Sequence, residues 1–168
     1  MLSEGELFAK LSLETRYEKH KGKVYWLTKA KGHNVGDEVG RKQTNGYVSF
    51  CFRYKTILIH RFIYWLETGD TPDVVDHIDT IRHNNIFKNL RAATKKQNNQ
   101  NSNQPRGITG LRGVTFNPVT GRYRARISAP DGRKISLGSF ADKYEAKAVR
   151  DEKAKELFGE FFNGARIN

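Results

Sequence analysis

Short runs of alternating apolar and polar residues dominate the first part of the chain. Val24-Tyr25-Trp26-Leu27 reads as a short strand. Asn45-Gly46 is a hairpin signal, and Tyr47-Val48-Ser49-Phe50-Cys51-Phe52 alternates directly after it. Thr56-Ile57-Leu58-Ile59 is a second β-rich run. His60 to Glu67 predicts a helix, closed by Gly69 and the Thr71-Pro72 break. Val74-Val75 predicts a short strand that runs into Asp76-His77. Thr94-x-x-Gln97 is a helix-start signature.

Gln97 to Pro105 is polar, nearly uncharged and free of apolar side chains, which marks a tether whose start can still belong to a helix. Beyond it the pattern predicts three strands and a helix. Arg112 to Asn117 is the first strand, and Pro118-Val119-Thr120-Gly121 a turn. In the second strand Tyr123, Ala125 and Ile127 point one way while Arg122, Arg124 and Arg126 point the other. Ala129 to Gly132 turns into a third strand, Arg133 to Gly138, with Ile135 and Leu137 inward. Asp142 with Glu145 predicts a capping box for an Ala- and Lys-rich helix that ends at Gly159.

Composition changes this picture mainly through charge. The 168 residues hold 30 Lys+Arg and 18 Asp+Glu, a net charge of +12. No acid occurs between Thr80 and Pro130, where ten basic residues stand; the acids Glu67, Asp70, Asp73, Asp76 and Asp79 cluster just upstream. Such a stretch predicts a phosphate-facing surface and a nucleic-acid partner. No apolar run reaches the roughly 18 residues of a membrane span, and the acidic start lacks a signal-peptide layout. One cysteine, Cys51, excludes an internal disulfide framework and a Cys-rich zinc site. These features predict a cytoplasmic protein without membrane partners.

One cluster carries chemistry: Asp76-His77, Asn84-Asn85, Asn89-Leu90-Arg91, Thr94 and Asn98. Phosphodiester hydrolysis needs a base for water and a cation for the phosphoryl charge. His77 offers a base and Asp76 an adjacent hard ligand, on opposite faces of a regular strand. The helix start places Asn98 about one turn into the helix. Asp76 and Asn98 present only oxygen, which suits Mg²⁺ (or Mn²⁺) better than zinc.

Val75-Asp76-His77-Ile78-Asp79, Asn84-Asn85, Asn89-Leu90-Arg91 and Gln97-Asn98 resemble the core motif of HNH endonucleases, most closely the homing-endonuclease-like branch of phages. His60 to Trp65 and Asn45 to Val48 resemble the same branch. The resemblance implies a metal-dependent nuclease with His77 as general base, Asp76 and Asn98 as metal ligands, and Asn89 as the loop brace that orients His77. His60 reads as structural, and His83 has no assigned role. Leu111 to Val114, Gly121 to Ile127, Leu137 to Phe140, Glu145-Ala146 and Gly159 resemble the plant Apetala/ethylene-response-factor DNA-binding domain. Thr115, Asn117 and Ser136 stand where plant members often carry base-reading Arg or Trp, so a plant-type target site is not expected.

Together these readings imply an α+β fold: an HNH ββα-metal nuclease region over 1–101 with its core at 74–101, a linker at 102–107, and a three-stranded antiparallel sheet packed on one helix over 108–168. The expected function is cleavage of double-stranded DNA with one divalent metal. The expected DNA contacts are Arg91, Lys95, Arg112, Arg122, Arg124, Arg126 and Lys134. The competing reading is a DNA-binding regulator with a vestigial nuclease motif, which a cleavage assay with Mg²⁺ separates.

Overall fold

The structure is a computed structural model, and it describes residues 2–101 and 108–162. The expected linker at 102–107 lies outside the described residues. The chain divides into two compact units, 1–95 and 96–168. The fold is α+β, with small antiparallel sheets and helices in both units.

The first unit opens with α1 (Glu4–Ser12), capped by a reciprocal pair: the Ser3 hydroxyl accepts from the Glu6 N–H, and the Glu6 carboxylate accepts from the Ser3 N–H. Its buried residues, Leu7, Phe8 and Leu11, share one helical face. The hairpin of β1 (Thr15–Glu18) and β2 (Lys23–Trp26) follows. A three-stranded antiparallel sheet comprises β3 (Arg41–Lys42), β4 (Val48–Phe52) and β5 (Lys55–Leu58). The Asn45-Gly46 turn forms as the sequence predicts: Gly46 takes a positive φ of 88°, and its N–H donates to the Gln43 carbonyl at 2.8 Å.

Helix α2 (Ile59–Thr68) buries Ile59, His60, Phe62 and Ile63 and stops at Gly69 in the left-handed conformation. Its inner face joins Leu7, Phe8, Leu11, Val24, Ile57, Val75 and Leu90 in the unit's core. The strands β6 (Val74–His77) and β7 (Leu90–Ala93) then pair antiparallel, setting Asp76 opposite Arg91 and His77 opposite Leu90. Helix α3 (Lys95–Asn101) begins where Thr94 predicts.

In the second unit β8 (Val114–Asn117), β9 (Arg122–Ser128) and β10 (Lys134–Phe140) form one antiparallel sheet with β9 in the middle. The register shifts between Ser136 and Gly138, an irregularity that the strand pattern does not announce. Helix α4 (Lys143–Phe158) packs on the sheet. Asp142 caps it by accepting from the Tyr144 and Glu145 N–H groups at 2.7 and 3.0 Å. The buried stripe of α4 is Ala146, Lys147, Arg150, Ala154 and Phe158. Two of its five members are cations, so the apolar pattern of this helix looks broken in the sequence. Among the described residues no helix is long and apolar enough to cross a membrane.

Candidate active site

The site is built on the β6–β7 hairpin and the loop between its strands. Asp76 and His77 end β6, each 4% exposed. Asp76 and Arg91 are cross-strand partners, and both Nε and an Nη of Arg91 donate to Asp76 Oδ2, at 3.0 and 2.9 Å. This charge-assisted fork satisfies a carboxylate whose burial would otherwise be costly. Arg91, expected at a DNA phosphate, thus stands on the candidate metal ligand.

His77 Nε2 lies 3.1 Å from Asn85 Oδ1. An amide oxygen can only accept, so Nε2 is the donor and the lone pair of the neutral ring sits on Nδ1. Burial pushes the His77 pKa below the ordinary histidine value, against the opposing pull of Asn85 and of Asp79 and Asp76. The ring is therefore neutral near pH 7 and able to take a proton.

Asn89 braces the loop. Its Oδ1 accepts from the Asp79 N–H at 3.0 Å, and its Nδ2 donates to Asp79 Oδ1 at 2.9 Å and to the Asn84 carbonyl at 2.8 Å. Asn84 Nδ2 donates in turn to Asp79 Oδ2 at 2.6 Å. The Asn89 carbonyl accepts from the Ile78 N–H at 2.9 Å, next to His77. Thr80, the residue after Asp79, takes a positive φ of 64°.

Three supports go beyond the residues singled out in the sequence. Asn85, part of the quoted motif but without a role there, is the partner of His77. Gly22, in the β1–β2 turn at φ 62°, lies so close to the Asn85-Ile86 peptide that a Cβ would meet the Ile86 nitrogen at 2.4 Å and the Asn85 carbonyl carbon at 2.5 Å. An aromatic group also backs His77: His60 at 4.8 Å and Tyr47 at 5.9 Å between ring centroids, with Tyr47 and His60 5.2 Å apart. The Arg82 guanidinium sits 5.1 Å from the Tyr47 ring centre. His60, read as structural from the sequence, is buried against Tyr47 and His77. No spacing rule links Gly22 to residue 77, so no sequence signal marks it; Tyr47 lies in the run Asn45 to Val48 that carries the family resemblance, though without a role there.

The remaining expected site residues are distributed as follows. Asp76, His77, Asn89, Arg91 and Lys95 lie in the first unit, and Asn98 on α3 in the second. Lys95 is exposed at the start of α3. Arg122, Arg126 and Lys134 are exposed on the sheet and Arg124 is half-buried. Arg122 donates to the Ser139 carbonyl at 2.8 Å, and Arg112 to the Asn99 carbonyl at 2.7 Å. His83 is exposed in the β6–β7 loop.

Residues 58–100 match the family model of HNH endonucleases. The matched segment runs from the end of β5 through α2, β6, β7 and most of α3, so it contains the whole hairpin site. The chain is also similar to an uncharacterized HNH endonuclease of Acanthamoeba polyphaga mimivirus, with 30% identity over 142 residues. That similarity covers 83% of this chain and 65% of the viral protein.

Proposed function

We propose that this protein is a divalent-metal-dependent endonuclease that hydrolyses phosphodiester bonds in double-stranded DNA. The observation that carries the reading is the state of His77: a buried neutral imidazole, oriented through Nε2 by Asn85, beside the Asp76 carboxylate, in the segment that matches the HNH family. In this reading His77 Nδ1 takes the proton of the attacking water. Asn89 holds the 78–84 loop so that His77 keeps its orientation. The donor chemistry of Asp76 and Asn98 fits a hard ion, Mg²⁺ or Mn²⁺. When bound there, the ion would supply a Lewis acid for the leaving oxygen and the phosphoryl charge. Arg91 holds the Asp76 carboxylate in place through its two hydrogen bonds to Oδ2.

The second unit supplies DNA affinity and target choice in this proposal. Its support is the architecture of sheet and helix, the exposed Arg122, Arg126 and Lys134, and the resemblance to the Apetala/ethylene-response-factor domain. Alternate residues on a strand stand about 6.8 Å apart, comparable to the spacing of phosphates, so an arginine row can follow a DNA strand. Incubation with supercoiled plasmid and with genomic DNA of the source, with Mg²⁺ or Mn²⁺ against EDTA, tests the activity. Sequenced ends at defined positions are the expected result. Binding without any cut under every metal condition would favour the regulator with a vestigial motif.

A further inference from the structure

A cavity of about 370 Å³ opens in the second unit, bordered by α3, the segment leading into β8, the end of β9 and α4. Lys96, Arg112, Arg126 and Arg150 line it together with Ser128, and none of the described residues lining it is acidic. Gly113 makes the wall possible. Its φ is 75°, and a Cβ there would meet the Arg126 carbonyl oxygen at 2.6 Å and Arg150 Cγ and Nε at 3.2 Å.

The charge beneath the cavity is unbalanced. Lys147 and Arg150 are both buried, and both pair with one carboxylate, Asp151. Two cations thus share one anion inside the α4 stripe, and the Arg150 Nε is buried without a hydrogen-bond partner among the described residues. A buried excess of positive charge is unfavourable unless an anion answers it. Lys96, Arg112 and Arg126 add further positive charge around the same space. Guanidinium groups recognise phosphate oxygens by directed, charge-assisted hydrogen bonds.

We propose that this cavity binds a phosphate group of the nucleic-acid substrate, held by Lys96, Arg126 and Arg150. Its lining residues include none of Asp76, His77, Asn89 and Asn98, and its assignment to the substrate rests on the DNA-endonuclease reading. The phosphate is either an internal diester of the duplex or the 5′-phosphate at a cut end. Both present the same anionic oxygens, and the test distinguishes them.

The full chain is titrated with inorganic phosphate at constant ionic strength. Calorimetry reads the affinity, and the arginine Nε–H NMR signals read the location. The expected result is saturable binding that shifts the Arg150 Nε–H signal. The double variant Lys96→Gln, Arg126→Gln should weaken phosphate by at least about tenfold, the scale of one lost charge-assisted hydrogen bond. Lys153→Gln with Lys155→Gln, an equal change of net charge at one half-buried and one exposed position of α4 that do not line the cavity, should leave it unchanged. An intact duplex with 5′-hydroxyl ends that displaces phosphate assigns the diester; displacement only by a nicked, 5′-phosphorylated duplex assigns the cut end. Absence of phosphate binding, or equal weakening by both double variants, overturns the cavity. A duplex that binds the chain without moving the Arg150 signal also overturns it, while leaving DNA binding intact. Phosphate binding in a chain that neither binds nor cuts DNA keeps the cavity and defeats the endonuclease reading instead.

Discussion

The histidine pair behind the hairpin makes the first unit sensitive to acid in a calculable way. His60 is 4% exposed, its Nδ1 has no hydrogen-bond partner among the described residues, and its ring packs against those of Tyr47 and His77. Burial, followed by the repulsion of His77 and Arg61, lowers its pKa from 6.5 to about 3. In the unfolded chain the same ring protonates at its ordinary value. Above pH 6.5 both states are neutral and the full stability is present. Below 6.5 the unfolded state binds a proton that the folded state refuses, so stability falls until the folded ring titrates. Each pH unit in that window costs about 1.4 kcal/mol, so moving from pH 6.5 to 5 costs about 2 kcal/mol. Against a total of about 5–15 kcal/mol for a typical domain, that loss is large. His77 shifts in the same direction and adds to it. His60→Phe keeps an aromatic ring in the slot and removes the titrating group. Urea unfolding at pH 7 and pH 5, followed by tryptophan fluorescence, measures the difference, because Trp26 and Trp65 both lie in the first unit. The native chain should lose about 2 kcal/mol more than His60→Phe between the two pH values. Equal losses would refute the buried neutral imidazole.

His77→Ala should lower the rate of plasmid cleavage by about 10²–10⁴-fold, the usual contribution of a general base, with filter-binding affinity for duplex DNA unchanged. Arg91→Ala leaves Asp76 buried without its fork and should destabilise the first unit by about 3–5 kcal/mol in urea unfolding; a stable variant whose only defect is a smaller salt slope of DNA binding would restore Arg91 to a phosphate. Gly22→Ala should cost roughly 1–2 kcal/mol in backbone strain and displace Asn85 as well. Gly32→Ala, at φ 102° with nothing within 4 Å, carries strain alone, so cleavage should fall much further in the Gly22 variant. Replacing Arg122, Arg124 and Arg126 together by alanine should reduce the slope of log K against log salt by about 2.7, and an unchanged slope would make the row a solvated surface.

The elements that the sequence announces are those whose pattern is local. Asn45-Gly46, the strand β4, the Gly69 stop of α2 and the arginine alternation of β9 each depend on neighbours within a few residues and each forms, although burial along β4 does not alternate: Ser49 and Phe52 are buried and Cys51 is exposed. Helix α1 carries its own signal in Ser3 and Glu6, but it is short, and Leu7, Phe8 and Leu11 prove their importance only against α2. The buried stripe of α4 is obscured because Lys147 and Arg150 occupy it, and only Asp151 one turn on makes that tolerable. At the site the ordered motif points to Asp76, His77 and Asn89, and the register of β6 on β7 then pairs Asp76 with Arg91. The Gly22 turn comes from a segment remote in sequence, and although the runs holding Tyr47 and His60 carry the resemblance, their packing against His77 becomes visible only when the chain is folded.

The acids explain how a site with buried carboxylates coexists with a net charge of +12. Three of the five acids clustered just before the basic stretch turn toward the fold. Glu67 pairs with Lys19 at 2.5 Å, Asp76 with Arg91, and Asp79 accepts from the Asn84 and Asn89 side chains and from the Ile81 N–H. Of these partners only Lys19 and Arg91 are cations, so inward acids cancel few of the 30 basic side chains. From Thr80 to Pro130 no acid is present to offset the rest. The same placement therefore does two things. It places carboxylates where they hold the loop that orients His77 and hydrogen-bond geometry matters, and it leaves the cations between Thr80 and Pro130 without an acid in the same stretch, where long-range attraction to a polyanion matters. On the proposed reading capture and chemistry would be separated by charge: salt should weaken association through the arginines of the second unit, while cleavage of DNA already bound should depend on the hairpin.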